Sequence, residues 1–342
     1  MTPKRRDVLE FAAATATATA ATVGTTGSLT VATQEGGEEL PAYTEWLALE
    51  DGALEFASLD WATIDDYVGD ELAEAEPDDE VPAEYEADPM IAPVSEGALS
   101  TYFFVGLDLG QYRLGGILDD DDAFDSSVSD LVQTPETFVV IGSIEPAEID
   151  ERLTADPEAE FIRQLERTDE ISGYDVYTPV EGSVEAAIAV GSDAFVVADA
   201  GDPLAALETT IDASEGDGER ATDESETFEW TAASAGGGDA VVGQVGGGAQ
   251  TDGNGAFVDF SFEGLEDAES IVSSLTVEGE GTSTGNFAAI IDDPDEATLE
   301  ETLGTTGANR SVDIDGDRVT ATATWEEEGV AVNRVRSRPV SN

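Results

Sequence analysis

Three short apolar runs of this chain end in the same way. FVVIGSIEP (138–146), FVVADAGDP (195–203) and FAAIIDDP (287–294) each open with Phe, pass through a few apolar residues and reach an acid followed by Pro. An apolar run of that length, bounded by breakers, predicts a buried strand. Pro at the first helical position behind a capping acid predicts the start of a helix. The helices expected to follow are PAEIDERLTAD, PLAALETTIDA and PDEATLEETLG. In the last, Asp293 is expected to cap, Glu296 to occupy the capping-box position and Gly304 to stop the helix.

Two earlier stretches, 54–72 (LEFASLDWATIDDYVGDEL) and 102–118 (YFFVGLDLGQYRLGGIL), look like looser strand-helix units. Residues 74–97 are rich in Glu, Asp and Pro and predict an acidic loop. YDVYTPV (174–180) and VEAAIAV (184–190) predict paired strands around Glu181-Gly182, and DAVVGQV with AFVDFSF predicts a second hairpin. Near the end, Asp315-Gly316 is the two-residue signal of a type I′ turn. In the strand beyond it Val319, Ala321, Ala323 and Trp325 share one face, and Thr320, Thr322 and Thr324 share the other. Strands outnumber helices and several neighbours are joined by hairpins. The expected architecture is therefore α+β: antiparallel or mixed sheets with helices on one face, in two related domains that arose by internal duplication.

Charge changes the picture. The 342 residues carry 13 Lys+Arg against 77 Asp+Glu, a formal charge of -64, with no His and no Cys. Three of the 13 basic residues, Lys4, Arg5 and Arg6, stand together ahead of a weak apolar run from Phe11 to Val23 diluted by threonines. A charged start, a short apolar stretch and a small-residue site are the plan of an export signal, and the run is too weak to span a bilayer. Arg5-Arg6 followed by Val8 and Leu9 resembles the twin-arginine signal that addresses folded cargo to the Tat translocon. Lys4 and Glu10 depart from its usual pattern. Cleavage is expected after Ala32, in TVA, and the absent Cys excludes a lipoprotein anchor. Removing 1–32 leaves 10 basic and 75 acidic groups and no lysine, because Lys4 is the sole one. The joint acid excess and lysine loss resembles the proteins of extremely halophilic archaea, which also favour twin-arginine export. The resemblance implies an exported, haloadapted protein with concentrated salt cations as counter-ions.

The chain thus divides into an export signal (1–32), a linker (33–53), an α+β domain (54–213), a polar linker (214–227), a second α+β domain (228–338) and a tail (339–342). Nucleic acid is excluded as a partner by the missing basic face, and an anionic membrane is disfavoured for the same reason. No transmembrane segment is expected.

Chemistry is bounded mainly by what is missing. Without His, Cys or Lys after residue 32, His-based triads, thiolates, Schiff-base lysines and His-ligated metals each lose a required part. GTSTG (281–285) matches a nucleophile pattern, yet no His exists to activate Ser283. DDDD (119–122) and DIDGD (313–317) offer oxygen ligands for Ca²⁺ through Asp313, Asp315 and Asp317, but the twelfth position from Asp313 is Thr324 rather than Glu. Solvated surface and hairpin turn are the better readings there. Asn309 opens the sequon NRS and is a candidate glycosylation site. Arg334, Arg336 and Arg338 balance local charge near the C-terminus. No cofactor and no catalytic residue are expected. The function expected is a non-enzymatic binding or cell-surface-associated protein; a secreted glycosidase-like hydrolase using a carboxylate pair is the alternative.

Salt provides the first test. At about 0.1 M the screening length is about 10 Å and the carboxylates repel across the surface, whereas in molar salt it falls to about 3 Å or less. Excluded salts also strengthen apolar burial. Cooperative thermal melting is expected in concentrated KCl, with loss of most of the ordinary margin of about 5–15 kcal/mol on dialysis into dilute buffer. Circular dichroism melts across a salt series read this directly, and a salt-independent melting temperature overturns the haloadaptation reading.

Overall fold

The computed structural model describes residues 40–65, 85–118, 123–157, 159, 161–181, 184–246, 258–278 and 282–326. Its strands are β1 (Leu54–Asp60), β2 (Ser127–Gln133), β3 (Thr137–Ser143), β4 (Leu165–Ile171), β5 (Tyr174–Pro179), β6 (Ala187–Val190), β7 (Ala194–Ala198), β8 (Ala240–Val245), β9 (Ala268–Val277), β10 (Thr282–Ile291), β11 (Ala308–Asp315) and β12 (Arg318–Glu326). They form one antiparallel sheet in the order β11-β12-β10-β9-β8-β1-β2-β3-β7-β6-β5-β4. The helices are α1 (Ala92–Gln111), α2 (Pro146–Thr154), α3 (Pro203–Glu215), α4 (Ala221–Glu224), α5 (Glu226–Ala235) and α6 (Glu296–Thr302). The class is α+β.

The three Phe-to-Pro segments do end strands and lead into helices: β3 to α2, β7 to α3, and β10 to α6. Asp202 caps α3 by accepting from the Ala205 amide at 3.3 Å. At α6 the cap is Asp295, not Asp293, accepting from Ala297 and Thr298. Gly304 stands past the end of α6 at φ 63°, a left-handed position that favours Gly.

Helices cover both faces of the sheet, which corrects the one-face expectation. On one face Leu59, Leu131, Val140, Phe287 and Trp325 pack with α1, α2 and α6 residues such as Leu109, Ile149 and Leu299. On the other, Phe56, Val132, Val139, Val241 and Val272 pack with Leu207 and Ile211 of α3 and Phe228 of α5. The cause lies in the central strands. AVVGQV of β8 and AFVVA of β7 are buried at every position, and a strand buried on both sides needs a layer on both.

The two expected units meet edge to edge. β1 pairs with β8 from Leu54↔Val245 to Leu59↔Ala240, so one sheet runs through both. Gly243 makes room at this seam, because a Cβ there would strike the Phe56 ring. Phe56 stacks on Tyr43 at 5.2 Å and meets the edge of Phe228 at 5.7 Å. On the opposite face α1 crosses the seam at Gly97, whose added Cβ would meet Val242.

Several local expectations change. The run at 102–118 is not a strand: its first ten residues complete α1, which starts at Ala92 inside the expected acidic loop. A continuous apolar run does not by itself separate a buried strand from a helix. The partner of β8 is β9 (268–277), and residues 258–262 of the expected second strand have no ladder. The polar linker 214–227 holds the end of α3, all of α4 and the start of α5, with Ala221 and Thr222 buried. The β11–β12 turn is Gly316-Asp317, one residue later than expected, since Asp315 pairs with Arg318. Only its first position has positive φ, at Gly316, which is the II′ rather than the I′ pattern. In β12 the alternation holds, with Val319, Ala321, Ala323 and Trp325 buried.

The segment 85–91 is built around a fully buried carboxylate. Asp88 accepts through Oδ1 from the Met90 amide (3.1 Å) and the Gly304 amide (3.0 Å). Its Oδ2 accepts from the Thr306 amide (3.0 Å) and hydroxyl (2.7 Å). Trp325 Nε1 donates to the same Thr306 hydroxyl at 2.9 Å. One acid thereby ties the lead-in to α1 to the loop after α6. Asp88→Ala strands several buried donors, so a loss of about 2–5 kcal/mol is expected, with Asp88→Asn losing less. Denaturant titration in concentrated KCl measures both; an unchanged Asp88→Ala midpoint contradicts the staple.

Candidate functional site

The residues expected to carry chemistry do not converge. Asp313, Asp315 and Asp317 lie exposed on β11 and its turn. Among the described residues no three His, Cys, Asp or Glu side chains group as a metal site. Ser283 is 2% exposed near the start of β10, paired with Trp325 on one side and Val277 on the other. That position offers no exposed hydroxyl on a strand-to-helix turn, as a nucleophile requires. Asn309 sits in a bulge of β11 at φ 51°, and its Nδ2 donates to the Thr324 hydroxyl at 3.1 Å. Arg5, Arg6, DDDD at 119–122 and the arginines at 334, 336 and 338 lie outside the described residues.

Two acidic groupings that the sequence did not single out stand at opposite ends of the central strands. At one end Asp60 and Asp130 face each other across β1 and β2, and the Asp60 amide donates to the Asp239 carbonyl at 2.8 Å. Burial raises the carboxyls of Asp130 and Asp239 above the ordinary range, and the Asp60 charge adds to both. Hydrogen bonds from Ser129 and the Val277 amide oppose those shifts. Asp60 has a structural task as well: it accepts from the amide (2.9 Å) and hydroxyl (3.0 Å) of Thr63, starting the helical turn after β1. At the other end Glu50 lies beside Glu136. Burial, a hydrogen bond to Glu136 and the charges of Glu136 and Asp51 raise the Glu50 carboxyl to about 7.

The feature that stands out is apolar. Phe104, Leu107, Phe161, Val180, Val184 and Leu204 are the exposed large apolar side chains among the described residues, with Phe104 53%, Leu107 63% and Phe161 68% exposed. They belong to one end of the sheet. Here β5 and β7 finish and β4 and β6 begin, since Pro179 pairs with Leu165 and Ala198 with Ala187. The Val180 amide donates to the Gln164 carbonyl, and the Arg163 amide to the Gln111 carbonyl at the end of α1. Leu107 and Phe104 lie within about two helical turns of Gln111. Leu204 is in the first turn of α3, directly after β7.

Local sequence explains the arrangement. The first half of α1 turns mainly small residues inward, among them Ala92, Ser95, Gly97, Ala98 and Thr101; its second half buries Val105 and Leu109 and leaves Phe104 and Leu107 outside. Arg113, at φ 62°, clamps the chain leading to Phe161 by donating to the carbonyls of Arg152 (3.0 Å), Ala155 (2.9 Å) and Asp156. No helix among the described residues is long and apolar enough to cross a membrane.

Comparison with known proteins adds little to this geometry. No family model and no curated protein matches the chain. Among solved structures it is similar to TP0453 in crystal form III, with 9% identity, a TM-score of 0.43, and coverage of 84% of this chain and 94% of that one. Crystal form I of TP0453 gives 10% identity and a TM-score of 0.41, covering 84% and 92%.

The Glu50 pair yields a prediction with a definite sign. A carboxyl raised in the folded state favours the protonated form, so the folded chain binds more protons than the unfolded one between about pH 4.5 and 7. Stability carried by this group is therefore largest below that window and falls as pH rises through it. Glu50 reaches solvent, which mutes the size of the effect. Glu50→Gln is expected to flatten the pH dependence and to be relatively more stable above pH 7. Melts from pH 4 to 8 at constant molar salt test this, and parallel curves contradict it.

Proposed function

We propose that this chain is an exported, soluble, haloadapted protein that binds a partner, or the cell surface, without catalysis, and that the apolar rim at the α1 end is its contact surface. The observation that carries the reading is that Phe104, Leu107, Phe161, Val180 and Val184, five of the six exposed large apolar side chains among the described residues, lie toward one end of a chain of charge -64. Scattered apolar side chains are ordinary, whereas a gathered patch of a few hundred Å² is a common mark of interaction. Export is supported by Arg5-Arg6 and the weak apolar run behind them, and haloadaptation by the acid excess with a single lysine. The missing His, Cys and post-signal Lys support binding over nucleophilic or metal chemistry.

We also infer that the two halves arose by duplication. The strand order supports this, because it repeats outward from the β1–β8 pair. Each half lays down three antiparallel neighbours, follows the third with a helix, and returns a later strand beside the third: β7 next to β3, and β12 next to β10.

A second reading, hydrolysis by a carboxylate pair, would use Asp60 and Asp130, which face each other on adjacent strands. It stands behind the first because both Asp60 oxygens already accept from Thr63. Glycan hydrolysis lost in Asp130→Asn would favour it.

Fractionation of producing cells tests the main reading. Wild-type protein is expected outside the cell, partly retained on its surface. Arg5→Lys/Arg6→Lys is expected to trap precursor inside, and Phe104→Ser/Leu107→Ser/Phe161→Ser to be exported normally but released from the surface. Secretion of the lysine variant removes the export claim, and unchanged retention of the serine variant removes the rim as the contact.

A further inference from the structure

We propose that Asn309 is an N-linked glycosylation site, modified outside the cell. The inference rests on the export reading above, since the sugar donor and its transferase meet the chain after it has crossed the membrane. Of the five asparagines, at 254, 286, 309, 333 and 342, Asn309 alone begins an Asn-X-Ser/Thr sequon, with Arg310 and Ser311 behind it. A motif this short is common, so its use depends on where the fold puts it. For cargo exported through the twin-arginine route, the transferase meets a finished structure. The acceptor amide and the hydroxyl two residues on must then both reach solvent, on backbone not locked into a ladder.

The fold meets each requirement. Among the described residues β11 is an outermost strand of the sheet and pairs with β12 alone. Ala308, Asn309, Arg310 and Ser311 are all exposed. The ladder breaks at this point: Ala308 stands opposite Thr324 and Ser311 opposite Thr322, so Asn309 and Arg310 together face Ala323. A bulge of this kind bends the strand and takes its extra residue out of pairing. Asn309 adopts the left-handed conformation, at φ 51°, which Asn tolerates better than most residues. Its side chain lies on the threonine face of β12, because Nδ2 donates to Thr324 Oγ1 and that hydroxyl donates to the Ala308 carbonyl, both at 3.1 Å. This face has room for a sugar. Thr322 is exposed, and Thr320, Thr324, Thr284 and Asn286 around it are half-buried. A glycan there lies against hydroxyls and an amide rather than apolar surface.

The step conserves atoms and electrons. Nδ2 attacks the anomeric carbon of an oligosaccharide carried on a lipid phosphate. The nitrogen–carbon bond forms as the bond from that carbon to the phosphate oxygen breaks. The lipid phosphate leaves with the bonding pair, and one Nδ2 proton passes to a base of the transferase. The carboxamide nitrogen carries two hydrogens, so the one that remains can still reach Thr324.

The test uses the chain as producing cells export it. A glutamate-specific protease cutting after Glu301 and Glu326 releases residues 302–326, in which Asn309 is the sole asparagine. Mass spectrometry of that fragment from exported wild type is expected to show a sugar mass on Asn309. Asn309→Gln and Ser311→Ala are expected to lose it, and Ser311→Thr to keep it. Ser311→Ala leaves the bulge asparagine in place and changes one exposed hydroxyl, and its cooperative melting in molar KCl reports an intact fold. Precursor trapped inside by Arg5→Lys/Arg6→Lys is expected to be bare. An unmodified 302–326 fragment from exported wild type overturns the proposal and leaves the export reading standing. A sugar that persists in Ser311→Ala overturns the sequon, and one on trapped precursor overturns modification outside the cell. Secretion of the lysine variant with Asn309 modified supports the site while removing the twin-arginine claim.

Discussion

The pairing of β1 with β8 holds the molecule together. Every strand to one side of it belongs to residues before 200, and every strand to the other side to residues after 239. Without those six paired positions the halves would present two long, apolar strand edges to solvent, a template for aggregation. Both faces of the seam are covered. α1 crosses it at Gly97, and the Tyr43–Phe56–Phe228 aromatic group packs beneath it. Gly97 lets α1 approach Val242, and Gly243 makes room for the Phe56 ring of the paired strand, so the seam depends on missing side chains as much as on present ones.

Much of this frame was legible in the residues. The Phe-to-Pro runs end strands because an apolar segment followed by an acid and Pro has few other outcomes. β12 was readable because its Val-Ala-Ala-Trp face alternates strictly with threonines. β9 was not, and its serines explain why. Ser270, Ser273 and Ser274 are buried, and their hydroxyls bond the Thr231 hydroxyl and the carbonyls of Met90 and Ala235. Those partners come from helices and lead-in segments on both faces, so the strand's polarity is resolved only by tertiary structure. The linker at 214–227 misled in a related way, because its polar residues are helix caps: Ser225 accepts from the Phe228 amide, and Arg220 donates to the carbonyls of Ala213 and Ser214.

The candidate site was the least legible part. Phe104, Leu107 and Phe161 have the composition of core residues, and nothing local distinguishes an outward Phe from an inward one. Phe104 and Leu107 lie on the side of α1 away from its buried Val94, Ala98, Val105 and Leu109, and Phe161 stands in the segment before β4, so their exposure is set by tertiary placement. The carboxylate groupings were hidden for the opposite reason. Among 77 acids no pair looks special, and Asp88, Asp60 and Glu50 become distinct only when strand order brings them to particular neighbours.

Solvent links these observations. On the proposed haloadapted reading, an acidic surface keeps the chain apart from its own copies and hydrated, while strong salt raises the penalty for exposed apolar area. Arginine offsets little of the acid: among the described residues Arg152 pairs with Glu148 and Arg167 with Glu170 and Asp175, whereas Arg113 and Arg220 spend their guanidinium hydrogens on backbone carbonyls and fasten loops. A surface so governed by charge should shed exposed Phe and Leu more strictly than one in dilute buffer. It has done so over the described surface except at the end where α1 meets the segments of Phe161 and Val180. In the proposed molar-salt solvent that exception runs against the solvent's own pressure, which is the physical reason the proposed contact falls at this end rather than at any acidic cluster.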